Sequence, residues 1–336
     1  NQNQRPLINQ AYLGLSGNNF YFQIGKKSNH AKHNYLSSGT LVESTNAMPI
    51  SKILISTTNY NNISFSKFRF QYLVKFAHGW INSPEYIINP YLHEKTLRIK
   101  KEISEESFLE IGLDHMAIWA GETMHHGKQP ASLGDFFRIM FALPAGNNSI
   151  NQEQKNSLGN HLGAWSFSYK KNYKDKILRL YMEHPFEDES GARWILNELD
   201  GLYGININQK EASYISNFTY EYLNTMDQSG SSGASDSTYG WDNYYNHYLY
   251  QSGWTNNGRV IGNPLFTLGT NKGRYSDSQY VINNRFRAHH FGLQGLVFEK
   301  IRYKILFTYS QNFGTYPDED YFKYKALVYR FDGGLI

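Results

Sequence analysis

The 336-residue chain carries 33 Lys and Arg against 29 Asp and Glu, a net charge of +4, and has no cysteine. The missing thiols exclude disulfides, iron–sulfur clusters and thiol catalysis, and the mild positive charge is far from a nucleic-acid-binding profile. Aromatic residues are plentiful, with 27 Tyr, 21 Phe and 6 Trp, but apolar residues are dispersed singly among polar neighbours. A membrane-spanning helix needs roughly 18 continuous apolar residues. The best run, FFRIMFAL at 136–143, is short and carries Arg138. Helical spanning is thereby excluded; spanning by strands, which score polar on hydropathy, is not.

Taken in order, the chain reads as pairs of strand-like runs joined by short turns rich in Asn, Gly and Asp. Gln10–Ser16 and Phe20–Gly25 flank GNN, Lys52–Asn59 and Ile63–His78 flank YNN, and Thr96–Ile103 and Phe108–Ala117 flank SEE. Leu162–Lys170 and Lys176–His184 flank KNYKD, Tyr203–Asn208 and Ser213–Asn224 flank QKEA, and Arg285–Phe298 and Ile301–Phe313 flank Glu299 and Lys300. Much longer segments separate the pairs: 26–51, 79–95, 118–161, 185–202 and 225–283. Tight turns alternating with long loops is the asymmetry of outer-membrane barrels. Within the long segments, 132–142 reads as a short amphipathic helix begun by Ser132 and Asp135, to be packed over or into the barrel mouth. Ser190–Asp200 reads as a second helix, and 229–240 as a small-polar loop tip.

Inside the runs the side chains alternate. In 301–313, Ile301, Tyr303, Ile305, Phe307, Tyr309 and Phe313 share one face, while Arg302, Lys304, Thr308, Ser310 and Asn312 share the other. A strand of that length reaches about 40 Å, enough to cross a bilayer core when tilted. Phe68, Phe70, Tyr72, Val74 and Phe76 oppose Lys67, Arg69, Gln71 and Lys75 in the same way. Leu178, Leu180 and Met182 oppose Arg179 and Glu183, and Phe218, Tyr220 and Tyr222 oppose Asn217, Thr219 and Glu221. The fold expected is all-β: a transmembrane antiparallel up-and-down barrel of about 16–18 strands, apolar toward lipid and polar toward the lumen, with short helices in the long outer loops.

The densest polar constellation is YYNHYLYQSGWTNNGRVIGNPLF at 244–266 with NNRFRAHHFGLQG at 283–295. YYNHYLYQSGW, GRVIGNPLF and NRFRAHHFG, together with LGDFFRIMF and GNHLGAW, resemble the capsule assembly protein Wzi family of outer-membrane barrel lectins. The resemblance implies about eighteen strands and binding of capsular polysaccharide without catalysis. It marks Tyr245, Asn246, His247, Tyr250, Arg259, Gly262, Arg285, His289 and His290 as motif positions. Tyr245, His247, Tyr250, Arg259, Arg285, Arg287 and His289 are the expected contacts for an acidic surface polysaccharide, because guanidinium groups pair with carboxylates and aromatic faces stack on sugar rings. The opposing reading pairs Arg259, Arg285 and Arg287 with lumenal acids such as Glu110, Asp114, Glu183 or Glu221. The chain lacks the family's N-terminal helical region and ends in DGGLI, so 1–336 is expected to be one barrel domain without its N- and C-terminal segments.

No cofactor is expected. Adjacent strand residues point to opposite faces, so His289 and His290 cannot easily chelate one ion, nor can His125 and His126 if they lie on a strand. His30 and His33 lack a nearby carboxylate in sequence. No G-x-S-x-G elbow is present, and sets such as Asp114, His115, His184 and Asp188 are tied to no motif. The partners expected are the polysaccharide, outer-membrane lipids and other envelope proteins, but no nucleic acid. The rival functions are a porin-like channel for small solutes and an accessory subunit of a larger outer-membrane complex. An open lumen favours the channel; a lumen closed by 118–160 and 225–283 favours the lectin.

Overall fold

The computed structural model describes residues 8–28, 32–63, 69–82, 86–123, 125–187, 199–229, 242–269, 280–298 and 300–315, with the backbone of 330–335. Among the described residues, thirteen strands follow one another as a single antiparallel meander. They are β1 (Ala11–Ser16), β2 (Phe20–Lys26), β3 (Ser51–Thr57), β4 (Phe70–Trp80), β5 (Tyr91–Ser104), β6 (Ser107–Trp119) and β7 (Asn160–Asn172). The path continues through β8 (Lys176–Phe186), β9 (Gly201–Gln209), β10 (Asn217–Asn224), β11 (Phe286–Val297), β12 (Ile301–Asn312) and β13 (Arg330–Leu335). A two-residue strand, Asn61–Asn62, adds a fourteenth member against β4.

All six expected hairpins form, as β1–β2, β3–β4, β5–β6, β7–β8, β9–β10 and β11–β12. Their turns share one end of the sheet and the long connections share the other. The run 244–266 supplies no wall strand: it holds a two-residue ladder, Thr255–Asn256 with Arg259–Val260, standing apart from the main sheet. Its neighbours Trp254 and Ile261 are buried, so this segment folds as a core rather than as a spanning strand. The helix expected at Ser190–Asp200 and the tract 229–240 fall mostly outside the described residues.

The two faces of the wall are told apart by what they touch. Leu92, Met116, Leu162, Leu202, Leu223, Phe286 and Ala288 pack with Tyr244, Tyr245, Tyr250, Trp254 and Phe266 in one buried core. That side is the lumen, and segments 32–50 and 242–268 fill it. The residues of opposite phase, such as Ile53, Ile55, Leu97, Ile111, Leu180 and Ile305, stay exposed on the outside. Apolar side chains left in contact with the surroundings on this scale fit lipid and not water. Lys304 and Thr308 turn inward to a lumenal cavity, as expected, and so do Leu73 and Lys75 of β4. Phe68 and Lys67 lie outside the described residues. Arg69 departs from expectation: it precedes β4 with φ of 54°, and its exposed guanidinium meets Glu102 at 3.4 Å instead of the lumen.

Two short helices lie in the 118–160 segment. In α1 (Leu133–Met140), Ser132 caps Asp135 N and the Asp135 carboxylate caps Ser132 N, a reciprocal box that satisfies two otherwise orphaned donors. A second helix, α2, covers Asn151–Lys155. The expectation that 132–142 packs over or into the mouth is corrected. Phe136 instead sets its ring against Phe76, His93 and Trp119, which are on the outward face of the wall. The reason is chemical: Phe136 needs an aromatic partner, and the outside of β4–β6 offers a cluster of them at the rim.

Substitution separates the two faces. Phe307→Arg on the outer face of β12 should destabilise the barrel in a bilayer by about 2–4 kcal/mol. Thr308→Arg should be much milder, since that side chain opens into a lumenal cavity. Denaturant titration of both variants in phospholipid vesicles is the check, and equal tolerance would sink the face assignment.

Candidate functional site in the plugged lumen

The plug begins with the segment after β2, and wall carboxylates hold it. Lys32 Nζ lies 2.7 Å from Asp114 Oδ2 and 2.5 Å from Glu183 Oε1. His33 Nε2 sits 3.0 Å from the same Glu183 oxygen, while the other accepts Leu41 N–H at 2.9 Å. Glu221 accepts Ser37 Oγ at 2.6 Å, Ser38 N at 2.7 Å and Tyr181 OH at 2.6 Å. Burial penalises an isolated charge heavily, so each carboxylate is tolerable here because several donors converge on it. The same logic runs down the wall: Arg98 grips both oxygens of Asp114, and Lys52 bridges Glu43 of the plug to Glu94 of β5.

The second half of the plug, 242–268, is aromatic. Trp254, fully buried, donates its indole N–H to Val42 O at 2.8 Å, tying the two halves together. The Tyr245 ring stacks on Phe266 with centroids 3.7 Å apart, and its hydroxyl donates to Leu41 O while accepting Asn263 N–H at 2.8 Å. Two glycines make this possible. A Cβ on Gly262 would lie 1.9 Å from the Tyr245 hydroxyl, and one on Gly292 of β11 would lie 2.6 Å from Leu36 Cβ and O. Both positions therefore require close backbone approach.

The motif residues do not gather in one place. Tyr245 and Tyr250 are core of the plug. His247 accepts Leu249 N–H and Tyr250 N–H at Nδ1, at 3.2 and 3.3 Å, and stacks on Tyr248. It is a turn-capping group, and burial holds its pKa down to about 3, with His161 adding slightly. Arg285 is buried at the rim with Nε donating to Met226 O at 3.2 Å. Arg287 is exposed on the outward side of β11, and the His289 ring there bonds Tyr220 OH at 2.8 Å. His290 points the other way, to Thr308 Oγ1 and Leu36 O, so the adjacent pair faces opposite sides. Arg259 is exposed on the small ladder. The acids proposed as arginine partners are engaged elsewhere: Glu110 lies 3.7 Å from Arg98 and accepts Tyr60 OH.

Between the plug and β11–β12 lies a cavity of about 530 Å³ whose lining mixes polar groups, among them Ser37, Asn46, Lys304 and Thr308, with apolar ones such as Leu265 and Leu306. Its size and mixed lining suit a small ligand such as one or two sugar rings, which present both hydroxyls and an apolar face. Sequence reading missed this cavity and the role of Lys32 and Glu183. The available signal was the acids placed singly at inward phase in the strands, Glu94, Asp114, Glu183 and Glu221, each of which needs a partner from outside the wall.

A family model for the capsule assembly protein Wzi matches residues 1–274. No curated protein matches this chain. Among solved structures, the chain is similar to Wzi of Escherichia coli, described as an outer-membrane protein involved in group 1 capsule assembly and as a carbohydrate-binding β-barrel. The likeness has a TM-score of 0.51 at 15% identity and covers 92% of this chain and 67% of that one.

Two predictions test the plug. Glu183→Gln removes the charge shared by Lys32 and His33 and should cost about 3–5 kcal/mol, with hydrogen exchange accelerating in 32–43 before the wall strands respond. His247 has its folded pKa below the unfolded value of about 6.5, so the unfolded chain takes the proton first. Its stabilising contribution is complete above that pH and is lost as pH falls toward 3. The drop in melting temperature from pH 7 to pH 5 should be smaller in His247→Asn, whose side-chain oxygen still accepts the two N–H groups but does not titrate. An unchanged drop would remove His247 as a contributor.

Proposed function

The chain belongs to the capsule assembly protein Wzi family, and from that premise we propose that it is an outer-membrane barrel that binds capsular polysaccharide and helps retain or organise the capsule, without catalysing a reaction. The single observation that carries the reading is the filled lumen. A conducting pore needs a continuous wet path, whereas here Trp254, Tyr244, Tyr245 and Tyr250 place a dry core inside the barrel. A rigid plug held by paired charges is instead a platform, and lectin-type binding needs a surface whose side chains do not move when sugar arrives.

The site is distributed differently from the motif. Tyr245, His247 and Tyr250 act as scaffold, shaping the plug from within. Exposed Arg259, and Arg287 at the long-loop end of β11, supply the positive charge that an acidic polysaccharide would meet, and the cavity beside the plug offers hydroxyl and amide groups to neutral rings. Such exposed charge contacts are screened over about 8–10 Å at physiological ionic strength, so binding should weaken as salt rises.

The purified barrel should retain polygalacturonate, an acidic polymer, better than neutral dextran. The double variant Arg259→Ala with Arg287→Ala should lose that preference at an unchanged melting temperature. In planar bilayers the protein should carry no steady conductance. Steady single-channel current with no polymer retention would establish the channel reading instead.

A further inference from the structure

The outward face of the wall contains a polar window that lipid should not tolerate. His78 of β4, His93 and Lys95 of β5, His115 of β6 and His161 of β7 share that face near the rim; the register pairs His78 with His93 and Lys95 with His115. His161 Nδ1 lies 3.0 Å from His115 Nε2, and its Nε2 lies 2.7 Å from Leu158 O. A lysine and four imidazoles turned toward hydrocarbon would be costly.

The 120–158 segment covers this window. Phe136 lies across the rings of His78 and His93, at centroid distances of 5.7 and 5.5 Å. Ile139, fully buried, packs with Ala117, Trp119 and Leu158. The Lys95 ammonium donates to Met140 O, the last carbonyl of α1, where the helix has no donor of its own and its dipole favours a cation. The helix is thus cemented to the outside of the barrel by one face.

Its other face carries Leu133, Phe137 and Phe141 at i, i+4 and i+8, and they are 73%, 48% and 64% exposed. Neither charge of the helix interrupts that stripe: Asp135 is buried in the cap, and Arg138 Nη1 donates to Pro144 O at 2.7 Å. Trp80 and Leu97, on the outward faces of β4 and β5 that α1 packs against, are exposed and apolar as well. We propose that α1 is an in-plane membrane anchor, sealing the polar window on one side and laying Leu133, Phe137 and Phe141 into the outer leaflet at the boundary of headgroups and acyl chains. Helices with one apolar face occupy that depth, and α1 sits at the level of Trp80, Tyr91 and Trp119, an aromatic girdle at the outer strand ends. Lipid is the favoured occupant because α1 lies on the outward, lipid-facing side of the wall, seated through Phe136 on Phe76, His93 and Trp119. The inference rests on the reading of the chain as an outer-membrane barrel.

The absence of cysteine gives the test. A nitroxide is attached to Phe137→Cys, Phe141→Cys, Ile55→Cys or Arg259→Cys, each in the full chain reconstituted into phosphatidylethanolamine–phosphatidylglycerol vesicles. Collision with oxygen, which concentrates in hydrocarbon, is compared with collision with a water-soluble nickel chelate. Positions 137 and 141 should favour oxygen as position 55 on the wall does, and position 259 should favour nickel. If 55 favours oxygen while 137 and 141 favour nickel, α1 stands in water and the proposal is overturned with the barrel reading intact. If 137 and 141 are shielded from both reagents, protein covers the helix and the lipid anchor is overturned. If 55 itself favours nickel, the barrel reading fails and the anchor fails with it.

Discussion

Glu183 is the constraint on which the rest of the structure depends. One buried carboxylate on β8 receives the Lys32 ammonium, the His33 ring and the Leu41 amide. Those three contacts draw the segment after β2 into the lumen, and that segment supplies the surface on which the aromatic plug is built. Remove the charge and Lys32 keeps Asp114 while Ser37 and Ser38 keep Glu221, but the His33 ring and the Leu41 amide between and beyond them lose their partner. A buried ion network of this kind adds little net stability over an apolar core; what it gives is a defined position for the plug.

The plug in turn explains which features of the motif are mechanical. Trp254, Tyr245 and Phe266 make the interior dry, and Gly262 and Gly292 let backbone pass where a side chain would collide. Closing the lumen this way converts a fold usually associated with passage into one suited to display. The groups we propose for ligand contact, the exposed arginines and the cavity beside the plug, lie around the aromatic core and not within it.

The same sequence segment can serve opposite surroundings on its two sides. The wall at His78, His93 and Lys95 is polar where a barrel should be greasy, and α1 is greasy where a loop should be polar. Packed together, the two exceptions cancel, and the outline presented to the membrane becomes apolar again. Neither exception makes sense alone, and sequence reading saw only the helix, because it placed 79–95 in a connecting segment.

The six hairpins, the phase of the apolar face and the all-β architecture were legible in the chain because they are local: alternation with period two and turn residues act over neighbours, although the turn expected at YNN is displaced, with Asn61 and Asn62 paired to Tyr72 and Gln71. Phe307 outward and Thr308 inward follow from that period alone. The plug was not legible, since Lys32 meets Asp114 across 82 residues and Glu183 across 151. Nothing in the run 244–266 distinguished a core of tyrosines from a sugar-stacking surface, because burial depends on what the remainder of the chain places over them. Nor did the amphipathic pattern of 132–142 say whether its apolar face would meet the barrel mouth or the outer wall. Sequence by itself determined a membrane barrel with a polar interior; only the tertiary structure decided that the interior is filled, because long-range charge pairing, and not local propensity, brings the plug inside.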